Sequence, residues 1–179
     1  MRFPLLVAAF ALLGSHCSFA KTADGKQKLV LIAGKPSHPP RMHEFNAGVQ
    51  LLAKNLASVQ DLHVETVLNG WPSDETVFND ADAVVFYMDG GPNHEVVKDG
   101  GKRLAMVDEW VKKGVGTGFM HYGVEVVADQ AGDQFKRWIG GHYENMFSCN
   151  PIWEPSFEKL PAHPITRGVK PFQIKDEWY

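Results

Sequence analysis

The chain has 179 residues, with 18 basic and 21 acidic side chains, a formal net charge of −3, and 44% hydrophobic residues. That is enough apolar material for one domain with its own core. No run of Lys or Arg occurs, so neither nucleic acid nor an anionic membrane surface is expected as a partner.

Residues 1–20 carry Arg2, an apolar run over residues 5–13, and Ser18-Phe19-Ala20 at the end. Small residues at −3 and −1 behind a short apolar run describe a secretory signal peptide cleaved after Ala20. The alternatives are weaker. The apolar run is far short of the ~20 residues a spanning helix needs, and His16 before Cys17 makes a poor lipoprotein site. The expected product is exported, periplasmic or secreted, with no membrane attachment after cleavage. Losing Arg2 brings its charge to −4, and Cys149 is its one cysteine, so burial rather than a disulfide must stabilise it.

Residues 21–27 read as a flexible lead-in to a domain over residues 28–179. Residues 28–32 (KLVLI) form a compact apolar run, the signature of a buried strand. A loop rich in Pro and His follows over residues 35–42. Phe45, Val49, Leu52 and Leu56 then fall at i, i+4, i+7 and i+11, the stripe of an amphipathic helix. Residues 62–68 alternate like a half-buried or edge strand, and residues 83–88 (AVVFYM) form a second buried strand ending at the turn Asp89-Gly90-Gly91-Pro92. Leu104, Val107, Trp110 and Val111 mark a helix stopped by Gly114. Residues 115–120 read as a third inner strand, residues 122–128 as a helix, and residues 135–139 as a short helix. Residues 151–171 are proline-rich and loop-like, and residues 172–179 read as the beginning of another strand, with the domain expected to be incomplete at its C-terminal end. Apolar strands alternating with amphipathic helices predict an α/β fold with a doubly wound, mostly parallel sheet.

Ligands of such sheets bind beyond the carboxyl ends of the strands. Five histidines fall there: His38 and His43 after the first strand, His94 after the strand of residues 83–88 with Asp89 at its tip, His121 after the third, and His142 in the next loop. In Gly118-Phe119-Met120-His121-Tyr122-Gly123 a strand turns sharply with a reactive type of side chain at the corner, the pattern of a nucleophile elbow. A neutral imidazole there can act as base or metal ligand, or merely pack at a chain reversal. His121, His94 and Asp89 are therefore the candidate catalytic residues, and His38, His43, Glu44, Tyr122 and His142 the candidate ligand-binding residues. Trp138, Tyr143 and Trp153 could stack on sugar faces, although core packing is the commoner use of such rings. His43, His94, His121 and His142 are also the types that hold a divalent metal such as zinc, but no H-E-x-x-H or C-x-x-C spacing occurs. No G-x-x-x-x-G-K-[ST] or G-x-G-x-x-G motif supports a nucleotide, and no G-x-S-x-G motif supports a serine nucleophile.

The stretch LVLIAGKPSHPPRMHEFNAGVQLLAKNL, the loop YMDGGPNHE, the elbow GFMHYGVE and the late HPITRGVKPFQIKDEWY together resemble the trehalose-utilization (ThuA-like) domains. The resemblance runs over residues 28–179. It implies a flavodoxin-like fold of the class I glutamine amidotransferase type and a link with sugar utilization, with a small-molecule carbohydrate as partner. His121 stands where amidotransferases hold a catalytic cysteine, so glutamine amidotransfer is not expected. Two readings remain open: an enzyme acting on a sugar derivative as hydrolase, lyase or isomerase, and a non-catalytic sugar-binding module of a larger assembly.

Overall fold

The computed structural model describes residues 25–178. The expected signal peptide lies outside them, and no helix among the described residues is long and apolar enough to cross a membrane. The element order is β1 (Gln27–Ala33), α1 (Phe45–Leu56), β2 (Leu62–Val67), β3 (Ala83–Tyr87), α2 (Lys102–Lys112), β4 (Gly116–Met120) and α3 (Asp133–Ile139), with short 3₁₀ turns between. Four strands form one sheet in the order β2-β1-β3-β4, and every pair is parallel.

Successive side chains of a strand point to opposite faces, and the two faces are packed separately. Leu31 and Ala33 of β1 meet Phe45 and Val49 of α1, so α1 covers one face. Val30, Ile32, Val84 and Phe86 meet Val107 of α2 and Phe135 of α3, which cover the other. Both faces of β1 and β3 are thereby removed from water, as their unbroken apolar sequences demand. Burying each such Val, Ile or Phe is worth about 1.5–3 kcal/mol. β1 and β3 also converge closely at their carboxyl ends. A Cβ at Gly34 would lie 2.6 Å from Met88 Cβ, and Gly34 N donates to Tyr87 O at 2.9 Å.

The structure departs from the sequence reading in three places. β4 pairs with β3 alone among the described strands and is only half-buried, so it is an edge strand rather than an inner one. Its Gly116, Thr117 and Gly118 carry little side chain to bury. Residues 122–128 do not form a helix. A four-residue turn (His121–Val124) is followed by extended Glu125, then by a π turn (Ala128–Gly132) leading into α3. Glu125 O accepts from Gly91 N at 2.9 Å, and Tyr143 N donates to Val124 O at 2.9 Å, so tertiary bonds claim the groups that a helix would use. Finally, residues 151–178 do not extend the main sheet. Ile152–Trp153 pairs with Asp176–Glu177, and Ser156–Phe157 with Phe172–Gln173, as two antiparallel two-residue ladders.

Candidate functional site at the carboxyl rim of the sheet

Three prolines, Pro36, Pro39 and Pro40, keep the chain after β1 extended, because proline lacks the amide and clashes with a helical predecessor. α1 therefore starts only at Phe45, and the loop before it hangs His38 and His43 over the sheet edge. Glu44 closes this loop by accepting from Arg41 N at 2.6 Å. Its carboxylate serves the turn, and Glu44 is not among the residues lining the rim cavity described below.

Opposite stands the elbow. His121 directly follows β4 and has φ +54°, a left-handed conformation that few non-glycine residues adopt and that costs about 1–2 kcal/mol. The short turn behind it is no α-helix, so no helix dipole acts on the ring. The ring's tautomer is fixed by a neighbour instead. Tyr122 N–H donates to His121 Nδ1 at 2.7 Å, so a neutral ring carries its proton on Nε2. That nitrogen lies 4.0 Å from Glu177 Oε2.

His43 is the centre of the cluster. Its ring centroid is 4.0 Å from that of His38 and 4.8 Å from that of His121, with Tyr122 at 5.7 Å. Burial pushes its pKa below the ordinary histidine value, and the neighbouring His38 and His121 push the same way, against a weaker opposing pull from Asp89 and Glu177. His43 Nδ1 is buried without a hydrogen-bond partner, a state that costs about 1–3 kcal/mol in a folded protein. Asp89, at the tip of β3, accepts from Ser37 Oγ at 2.7 Å, and the same oxygen lies 2.8 Å from His38 Nδ1. Because the single hydroxyl proton goes to Asp89, Ser37 Oγ acts as the acceptor from His38, and one hydroxyl ties carboxylate to imidazole. Burial raises the pKa of Tyr122 and of Glu125 as well, keeping the phenol and favouring the protonated acid.

His38, His43, Tyr122, Glu125, Tyr143 and Glu177 help to line an open cavity of about 360 Å³, and Asp89 and His121 stand next to the two imidazoles. A larger groove of about 640 Å³ opens at the amino ends of the strands around Phe78, Asp82 and Trp110. It has no histidine, and its size alone gives it no chemistry.

The structure thus gathers His38, His43, Asp89, His121 and Tyr122, and places two other candidates elsewhere. His94 is 0% exposed. Its Nε2–H donates to Gly123 O at 3.0 Å, its Nδ1 accepts from Val96 N at 3.2 Å, and Phe86, Phe119 and Phe135 surround the ring. With both nitrogens in use, His94 is neither a rim ligand nor a catalytic group. It is a core residue that holds the elbow turn from beneath, and burial drives its pKa down to about 4. His142 also leaves the cluster. Its side chain is 3% exposed and packs at the start of α3, where a Cβ on Gly132 would lie 3.0 Å from its Cε1, and its Nε2 lies 3.5 Å from Glu144. Trp138 stacks on Phe119 and donates to Asp108 at 2.7 Å, which is a packing role.

Glu177 and Ser37 join the site without having been singled out from sequence, and Tyr143, of the three rings considered for sugar stacking, lines its cavity. Ser37 adjoins His38, so a hydroxyl next to an imidazole was a usable local signal. Glu177 reaches His121 only because Asp176–Glu177 pairs with Ile152–Trp153, and Asn150 Nδ2 donates to its Oε1 at 2.7 Å. A two-residue strand leaves no periodicity to read.

The elbow also depends on a close backbone approach. A Cβ on Gly90 would lie 2.2 Å from Tyr122 O and 2.8 Å from Glu125 Cβ. Gly90→Ala is therefore expected to lower the unfolding free energy by about 2–3 kcal/mol, read by urea denaturation. An unchanged midpoint would show that the elbow can move away from β3.

No protein-family model, curated protein or solved structure matches this chain.

Proposed function

We propose that this chain is an exported ThuA-like domain, flavodoxin-like and of the class I glutamine amidotransferase type in architecture, which binds and acts on trehalose or a related sugar derivative at the carboxyl rim of its sheet. The observation that carries the reading is the convergence of His38, His43, Tyr122 and Glu177 on one cavity, with Asp89 and His121 close beside the two imidazoles. Its position supports the reading too. The order β2-β1-β3-β4 places β2 on one side of β1 and β3 on the other, and ligands of open parallel sheets bind where the order switches direction. The residue resemblance over 28–179 supplies the substrate class.

The chemistry follows from two protonation states. His43, kept neutral by burial, can accept a proton, while His121 presents an N–H toward the side occupied by Glu177. A base and a fixed hydrogen-bond donor are the two parts of a proton-transfer step next to a carbonyl or at a glycosidic oxygen. The elbow holds no thiol, so glutamine amidotransfer is not part of the proposal. The second reading, a sugar-binding module without turnover, uses the same cavity and differs only in showing no product.

A thermal-shift screen of the full-length protein tests this, with trehalose first and then a panel of glucosides and oxidised glucosides. A ligand at a hundredfold excess over Kd adds about 2.7 kcal/mol, or about 5–10 °C in a domain of this size. No shift across the panel, or an equal shift after His43→Ala and His121→Ala, would overturn the sugar reading.

A further inference from the structure

We propose that His38, His43 and Asp89 bind one divalent transition-metal ion of the zinc class at the rim, a proposal that rests on the rim being the functional site and supplies that site with a Lewis acid. One donor atom from each of the three residues lies within 4.8 Å of the other two. They come from loops after β1 and β3, the two strands that approach most closely at Gly34 and Met88. Two imidazoles and one carboxylate are a ligand set that zinc accepts, and three protein ligands leave a position open for water or substrate. Bonds of about 2.0–2.2 Å require the donors to draw in by roughly 1–1.5 Å, a movement within reach of side chains carried on loops.

Two further observations point to a ligand here. His43 Nδ1 is buried and makes no hydrogen bond, so the ring at the centre of the cluster has a nitrogen whose bonding capacity the protein does not use. Ser37 Oγ binds Asp89 at 2.7 Å and lies 2.8 Å from His38 Nδ1, which fixes the relative orientation of the two other ligands, the part that outer groups play in metal sites.

A rival set, His43 with His121 and Glu177, is equally compact. Hydrogen bonding separates the two. His121 Nδ1 already accepts from Tyr122 N–H, so the neutral ring has its proton on Nε2 and no second lone pair to give. The ion therefore belongs with His38, His43 and Asp89, and His121, whose ring lies 4.8 Å from that of His43, stands beside it as a hydrogen-bond donor. An ion so placed would coordinate a hydroxyl or carbonyl oxygen of the sugar derivative while His121 donates to the same ligand.

The test is zinc chloride titrated calorimetrically into chelator-stripped full-length protein, with cobalt chloride as a spectroscopic probe. The expected result is one ion per chain, with a visible cobalt band of low-coordinate type. His38→Ala and Asp89→Asn should each weaken zinc binding by about 10–100-fold or more, while His121→Ala should keep it within about threefold. Asp89→Asn preserves shape, and melting curves identify any variant that fails to fold, so it carries the test if His43→Ala does not fold. Folded wild type that takes up neither ion overturns the proposal. So does loss of zinc in His121→Ala with retention in His38→Ala, which assigns the ion to the rival set. Sugar binding that persists in the stripped protein without any zinc uptake removes the metal and leaves the sugar reading standing. Zinc uptake without any sugar ligand does the reverse.

Discussion

His94→Ala is expected to lower the unfolding free energy by about 4 kcal/mol at pH 7, a fall in melting temperature of about 10 °C. The ring is fully buried among Phe86, Phe119 and Phe135, so truncation opens a cavity. It also strands Gly123 O and Val96 N–H, two buried groups the imidazole now satisfies. The same residue makes stability depend on pH. Its pKa is about 4 in the folded protein against 6.5 in the unfolded chain. The unfolded state therefore takes the proton first as pH falls, and the stabilising contribution of the neutral ring is complete above pH 6.5 and declines towards pH 4. By pH 5 the loss is about 2 kcal/mol. His43, also shifted down, works in the same direction, whereas Glu125, shifted up, opposes it. Glu95 and Lys98 are the charges nearest the His94 ring. Comparing wild type with His94→Gln cancels the other groups, since only the wild type should lose that 2 kcal/mol between pH 7 and pH 5. Equal slopes for both proteins would mean that the ring is protonated without disturbing the core.

His94 also shows where sequence reading ran short. Its place after a buried strand, beside other histidines, made it look like a rim residue. The two short turns over residues 91–97 fold it back under the elbow, and nothing in NHEVV announces that reversal. The sheet itself was readable, because KLVLI and AVVFY are apolar without alternation, which only a strand covered on both faces tolerates. His38, His43 and Asp89 were readable as rim residues for the same reason: each follows the end of such a strand. Residues 122–128 misled because Val124, Val126 and Val127 fit either conformation, and the decision lies in long-range bonds to Gly91 and Tyr143. Glu177 was illegible because its approach to His121 depends on pairing between segments far apart in sequence.

His43→Ala is expected to have the largest effect on function. The surroundings of His43 hold it below its ordinary pKa; in metal-free protein its loss as general base costs about 10²–10⁴-fold in rate, and where an ion occupies the rim the same variant removes one of its ligands. Its stability cost should stay near 1 kcal/mol, because Nδ1 makes no bond to lose and the ring is only partly buried. The pH profile gives an independent reading. In chelator-stripped protein, with the base unprotonated above its lowered pKa, kcat/KM should rise with pH along an acid limb centred below 6.5 and then level off. An acid limb centred above 6.5, or a His43→Ala variant with unchanged kcat/KM, would take the base role away from this residue.

The central claim, that the rim cluster is where this protein meets its substrate, is tested most directly by measuring melting temperature and affinity for the identified sugar ligand on one sample of His121→Ala. The His121 ring lies 4.8 Å from that of His43, which lines the cavity, while the turn it begins is anchored through Gly123 O to His94. The account predicts a melting temperature within about 2 °C of wild type and an affinity at least tenfold weaker, the effect of removing one hydrogen-bond donor from a polar site. A variant that melts several degrees lower yet binds the ligand with wild-type affinity would contradict it, and would reduce the elbow to a structural corner.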